Sequence, residues 1–269
     1  MGVRLIIIGE KINGTIEVVR DAILSRDGTL IGDLAKEQAD AGADYVDVNV
    51  GTGIGDEAEA MVWAIGVVRE ATKAPICLDS PDPAVIAAGL EVCGSESPFI
   101  NSVTGTSESM ETVLPLAARH SCPLVGLLMD EAGIPPSPAE RLLICGRLVE
   151  AAENAGIERG NLFIDPLVLP LSADCTQGRV TLETLASAKR EFEGVKTVMG
   201  ASNASFGLPR RSLINRSLLG VAVYFGLDAA IIDPGDGELR SAIFAAETVA
   251  GGDRFCKAYM KAYRAGRLG

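Results

Sequence analysis

A chain of 269 residues, 48% of them hydrophobic, has enough apolar material for one sizeable core, so one domain over 1–269 is expected. Its 24 basic against 36 acidic side chains give a net charge of −12, which argues against DNA or RNA as a partner. The apolar run at 5–8 is too short for a signal-peptide core or a membrane span, so a cytoplasmic protein is expected. Gly2 does not open a myristoylation motif, because Ile6 stands where a hydroxyl residue is required.

Along the chain, short apolar runs rich in β-formers recur at 5–8, 45–50, 75–78, 98–100, 124–128, 162–164, 197–201 and 229–232, with helical patterns between them. Asp56 and Glu57 open a helix carrying Met61, Ile65 and Val68 on one face. Ser137-Pro138-Ala139-Glu140 reads as a capping box with proline at the first helical position, leading into Leu142, Leu143, Leu148 and Val149. Residues 253–269 read as a closing helix bearing Phe255, Tyr259 and Met260, with a basic tail. Eight strand–helix units in this length fit a closed (β/α)8 TIM barrel, an α/β fold, better than an open doubly wound sheet.

Gly51-Thr52-Gly53-Ile54-Gly55 has the wrong glycine spacing and the wrong place for a dinucleotide fingerprint, and is expected to let substrate approach the backbone. The six cysteines form no C-x-x-C pair and read mostly as reduced core filler. His120, the single histidine, falls near a helix end, which leaves little for histidine-based catalysis or zinc binding.

In such a barrel the chemistry sits at the C-terminal ends of the strands. Seven of the eight end in a carboxylate or carboxamide: Glu10 and Asn13, Asp47 and Asn49, Asp79, Asn101, Asp165, Asn203, and Asp233. Any one of these reads equally well as a helix cap or turn residue. As a set they suit magnesium or, with so many carboxamides and no histidine, a flat hydrogen-bonding heterocycle such as a pterin. An ionised Asp can grip a pterin's adjacent N–H donors with both oxygens.

IIIGEKING (6–14), DVNVG (47–51), CLDS (77–80), INS (100–102), FIDPLVLP (163–170), GASNASFGLP (200–209) and LINRSLL (213–219) together resemble the methyltetrahydrofolate:corrinoid methyltransferases. These include the pterin-binding barrels of the corrinoid/iron–sulfur protein methyltransferase and of cobalamin-dependent methionine synthase. The resemblance implies that Asp79, Asn101 and Asp165 hold the pterin, that Asp47 and Asn49 line the same pocket, and that Asn203 bonds near the methyl-bearing nitrogen. It implies tetrahydrofolate as substrate, a corrinoid (cobalamin) supplied by a partner protein, no resident metal, and a homodimer. Because the corrinoid is the nucleophile, no catalytic Cys–His pair is needed. Segments such as Ser80-Pro81-Asp82-Pro83 are too short to form a lid over it. Asp165 and Asn203 are the catalytic candidates, whereas Glu10 and Asp233 read as turn or support residues. Arg210, Arg211 and Arg216 either meet the folate glutamate tail or an acidic partner, or form a solvated helix start.

Other readings are a dihydropteroate synthase, a barrel that binds folate or docks a corrinoid protein without catalysis, and a Schiff-base aldolase. The first expects an N-x-T-P-D-S-F run where the chain has Asn13-Gly14-Thr15-Ile16, and a Ser-Arg-Lys type motif where it has Ser202-Asn203-Ala204. The last lacks a strand ending in lysine.

Overall fold

A computed structural model describes residues 4–94 and 96–268, so the readings attached to Gly2 and Gly269 lie outside the described residues. Eight parallel strands close in chain order: β1 (Ile6–Asn13), β2 (Tyr45–Asn49), β3 (Ile76–Asp79), β4 (Phe99–Thr104), β5 (Leu124–Leu127), β6 (Leu162–Asp165), β7 (Lys196–Gly200) and β8 (Ala229–Ile232), with β8 pairing onto β1. Helices α1 (Glu17–Ser25), α2 (Gly28–Asp40), α3 (Glu57–Ala71), α4 (Pro83–Cys93), α5 (Ser107–His120), α6 (Pro138–Asn154), α7 (Gln177–Glu191), α8 (Arg211–Tyr224), α9 (Gly237–Val249) and α10 (Lys257–Arg264) complete the expected TIM barrel. None of the described helices is long and apolar enough to cross a membrane.

The helix starts follow local chemistry. Asp56 accepts from Glu59 N at 3.0 Å, and Met61, Ile65 and Val68 are fully buried. Ser137 and Glu140 form both halves of the capping box. The inward face of α6 differs from expectation, because Leu143 is 72% exposed while Arg141 is fully buried beside Ile144, Cys145, Leu148 and Val149. Helix α10 opens at Lys257 rather than at 253, since Phe255 and Cys256 take left-handed φ values of 61° and 51° and the Asp253 carboxylate caps Ala258 N and Tyr259 N. Phe255 is exposed rather than packed inside. Four of the six cysteines are buried and all six are free thiols.

Two strands run past their apolar cores. The polar stretch ending in Asn13 stays paired to β2 after a bulge between Gly9 and Ile12, and β4 continues to Thr104 after an irregularity past Asn101. Pairing to β2 in the first case and to β5 in the second supplies hydrogen bonds that local propensity would have sought in a turn.

The interior of the barrel is filled by Ile8, Cys77, Phe99, Val125, Phe163, Val198 and Ala229. Phe99 packs edge-on against Phe163 at 4.7 Å and against Tyr45 at 5.3 Å. This plug forms the floor on which the site stands.

Candidate active site

Side chains on a strand alternate between the two faces, so the residue two places beyond each plug member also points into the barrel, one layer higher. Besides β1, where Ile8 is followed by Glu10, that residue is polar on four strands: Tyr45, packed against the plug, is followed by Asp47, Cys77 by Asp79, Phe99 by Asn101 and Phe163 by Asp165. These four, with Asn203 from the 3-10 helix Ala201–Ser205 after β7, line a cavity of about 1120 Å³ at the C-terminal ends of the strands.

Asn49 departs from this arrangement and is absent from the cavity wall. Its amide is used inside the protein, donating to Asp79 Oδ2 at 2.9 Å and accepting from Gly51 N at 2.9 Å, so it orients Asp79 from behind. The glycine turn that follows does not reach the cavity either. Glu57 caps the Thr52 and Gly53 amides, and the close approach is between loops, since a Cβ on Gly14 would lie 2.6 Å from the Gly51 carbonyl oxygen.

Asp47 and Asp79 form a buried carboxyl pair. Burial raises both pKa values, and Asp47 rises furthest because it also faces the Asp79 charge. Asp47 therefore keeps its proton while Asp79 is the member available as an anion. Asp47 Oδ1 is buried without a hydrogen-bond partner among the described residues. Native structures rarely leave such an atom unpaired, so it fits a donor on a bound molecule.

Asp165 is pushed up to about 6 by burial, against the lowering effect of the Leu167 and Gly200 backbone amides and of Arg141. Leu167 N donates to its Oδ1 at 2.7 Å. Leu167 itself has a left-handed φ of 59°, an unfavourable conformation for a branched side chain. Arg141 holds it there, with Nη1 bonded to the carbonyls of Pro166 at 2.7 Å and Leu167 at 2.8 Å, Nε to Pro135 O at 2.9 Å and Nη2 to Gln177 Oε1 at 3.1 Å. Arg141, which strand-end reasoning does not reach, thus positions the Asp165 loop.

The β7–β8–β1 side of the mouth is built differently. Ser202 donates to Glu10 Oε2 at 2.8 Å, and both residues line the cavity beside Asn203. Glu10 was expected in a turn or support role, but it stands inside β1 and faces the cavity, because the bulge keeps this stretch in the strand. Asp233 accepts from Gly235 N and pairs with Lys11 at 3.2 Å, and Asn13 accepts from the Thr15 amide and hydroxyl. Arg211 bonds Ser205 Oγ and Ser202 O, Arg216 pairs with Glu238, and Arg210 is exposed at the start of α8. Among the described residues, no group of three or more His, Cys, Asp and Glu is gathered tightly enough to hold a metal ion.

Residues 10–233 match the family model described as pterin binding enzyme, and the chain belongs to that family. Over its whole length it is similar to the methylcorrinoid:tetrahydrofolate methyltransferase of Eubacterium limosum, with 37% identity over 98% of both chains. It is 31% identical to the methionine synthase of Mycobacterium tuberculosis over 85% of this chain, a stretch that makes up 20% of that protein. Among solved structures, the dihydropteroate synthase of Yersinia pestis superposes with a TM-score of 0.69, covering 92% of this chain and 93% of that one at 18% identity, which is a likeness of fold.

Proposed function

We propose that this chain is a methyltransferase that moves a methyl group between tetrahydrofolate and a corrinoid carried by a separate protein. The observation that carries this reading is the polar layer of Asp47, Asp79, Asn101 and Asp165 above the aromatic plug, with the unpartnered Asp47 Oδ1 among them. The full-length likeness to a methyltransferase acting between those two compounds supports it.

In this reading Asp79, Asn101 and Asp165 hold the pterin by its donor edge, and Asp47 Oδ1 takes a further contact. Asn49 and Arg141 hold Asp79 and Asp165 in place. Asn203 steadies the protonated pterin nitrogen through its carbonyl oxygen. The short β3–α4 connection leaves the mouth open, and the exposed Ile16 and Phe206 at its rim fit a large, flat ring presented by another protein. A docked corrinoid would supply a cobalt centre able to give or take the methyl group as a methyl-cation equivalent, the bonding electron pair staying with whichever of cobalt and the pterin nitrogen the methyl leaves. We further read the chain as one domain working in the cytoplasm as a homodimer.

Purified protein supplied with tetrahydrofolate and methylcobalamin should form 5-methyltetrahydrofolate, with the released cob(I)alamin followed by absorbance. Asn203→Ala should slow the transfer about tenfold or more. Tight pterin binding without turnover would instead favour a non-catalytic barrel, and condensation of a pterin with p-aminobenzoate would favour a synthase.

A further inference from the structure

The proton on the pterin nitrogen needs a destination. When N5 of tetrahydrofolate acquires a methyl group it becomes an ammonium that still bears its hydrogen, and Asn203 cannot take that proton. We infer that Ser202 and Glu10 form the proton relay of this site, with Ser202 Oγ passing the proton from N5 to the Glu10 carboxylate. The inference rests on the methyltransferase reading above and adds a proton acceptor to it.

The geometry is built around Glu10. The β1 bulge lifts Glu10 and Lys11 out of the ladder, and the Lys11 amide this frees is taken by Gln38 Oε1 at 2.9 Å. Gln38 is itself buried, and a Cβ on Gly9 would lie 2.5 Å from the same Oε1, so the bulge requires glycine there. Bulges of this kind re-aim side chains next to active sites. Here it aims a carboxylate into the cavity, where Ser202 Oγ meets it at 2.8 Å, one residue before Asn203.

The surrounding charges suit a group that must both accept and return a proton. Burial raises the Glu10 carboxyl, and the Asp233 carboxylate at the end of β8 adds to this. The Ser202 hydroxyl, Arg211 at the start of α8 and the Asp233 backbone amide pull it down. Lys11, its neighbour on β1, is occupied by Asp233.

The transfer balances. As the N5–H proton goes to Ser202 Oγ, the Ser202 hydroxyl proton goes to Glu10 Oε2, leaving neutral 5-methyltetrahydrofolate and a neutral Glu10. In the reverse direction the neutral Glu10 returns the proton, so that the pterin leaves as an uncharged amine.

Glu10→Gln keeps an acceptor for Ser202 but cannot take the proton, and Ser202→Ala cuts the link. In methyl transfer from methylcobalamin, kcat should fall about 100-fold in Glu10→Gln with KM for tetrahydrofolate little changed, and the acidic limb of the kcat profile at saturating tetrahydrofolate should disappear. Without any corrinoid, the 13C shift of bound 5-[13C]methyltetrahydrofolate reports N5 protonation. Its inflection should move to lower pH in Glu10→Gln, where the nearby negative charge is lost.

A lower kcat with an unmoved 13C titration would overturn the relay and leave Glu10 a support for the loop. Wild-type rates in both variants would overturn it as well. Loss of methyl transfer in the wild-type protein would instead refute the methyltransferase reading.

Discussion

Asp165 joins a structural demand to a pH dependence. Burial holds its carboxyl near 6, while the proposed grip on the pterin's N–H edge requires the ionised form. Tetrahydrofolate affinity should therefore weaken as pH falls through about 6, by about tenfold per unit below it, and Asp165→Asn should abolish that dependence along with most of the affinity. Calorimetry between pH 5 and 8 measures both, and a flat wild-type profile would contradict the assignment. The loop behind it depends on Arg141. Replacing Arg141 by Met leaves the Pro166 and Leu167 carbonyls without donors in a buried place, and should cost about 3 kcal/mol or more in urea unfolding. Arg141→Lys should not rescue it, because a single ammonium cannot span four acceptors. This residue was partly legible: position 141 shares the inward stripe with Ile144, Cys145 and Leu148, and a charged residue on an apolar stripe is a signal. What it serves was not legible, since the two loop carbonyls it holds behind Asp165 lie 25 and 26 residues downstream.

At the scale of elements, the site depends on β1 and on the loops that follow β1 and β2. Gly14 sits against the Gly51 backbone, where a methyl group would meet the carbonyl oxygen at 2.6 Å and neither loop can simply swing aside. Gly14→Ala should destabilise the protein by about 1–3 kcal/mol and also lower pterin affinity, because Asn49 bridges Gly51 to Asp79. A variant with native unfolding and native binding would show that the loops are looser than this contact implies. The capping box offers a milder test, in which Ser137→Ala should cost about 1 kcal/mol and leave the site intact. Helix starts were readable because caps act over three or four residues. The bulge was not, since it exists only where β1 lies between β2 and β8.

For the whole molecule, the buried carboxyls set the pH of greatest stability. Glu10, Asp47, Asp79, Asp165 and Glu247 all hold their protons more tightly in the fold than an unfolded chain would. Their contribution is complete below the unfolded values, near 4, and is lost as pH rises through the folded ones, near 6 for Asp165. The net charge of −12 adds self-repulsion as these groups ionise. Without ligand the protein should melt at a higher temperature near pH 5 than near pH 8. Added tetrahydrofolate should raise the melting temperature more at pH 8, where Asp165 is ionised. Calorimetric scans at both pH values check this, and a ligand-free optimum at pH 8 would contradict it.

The number of strands, their parallel order and the position of Asp47, Asp79, Asn101, Asp165 and Asn203 at the strand ends were legible in the sequence, because period-two and helical patterning are local properties of the chain. That four of these stand two residues beyond the aromatic plug is a local regularity too, and it places them in one layer once the barrel closes. The tertiary structure decided which polar residues face the cavity and which support it. Asn49 turns to Asp79 and leaves the cavity wall, Asn13 and Asp233 stay on the wall while bonding to their own turns, and Glu10 takes Ser202 as its partner inside the mouth. Those choices depend on partners supplied by distant strands and helices, to which spacing along one strand gives no access.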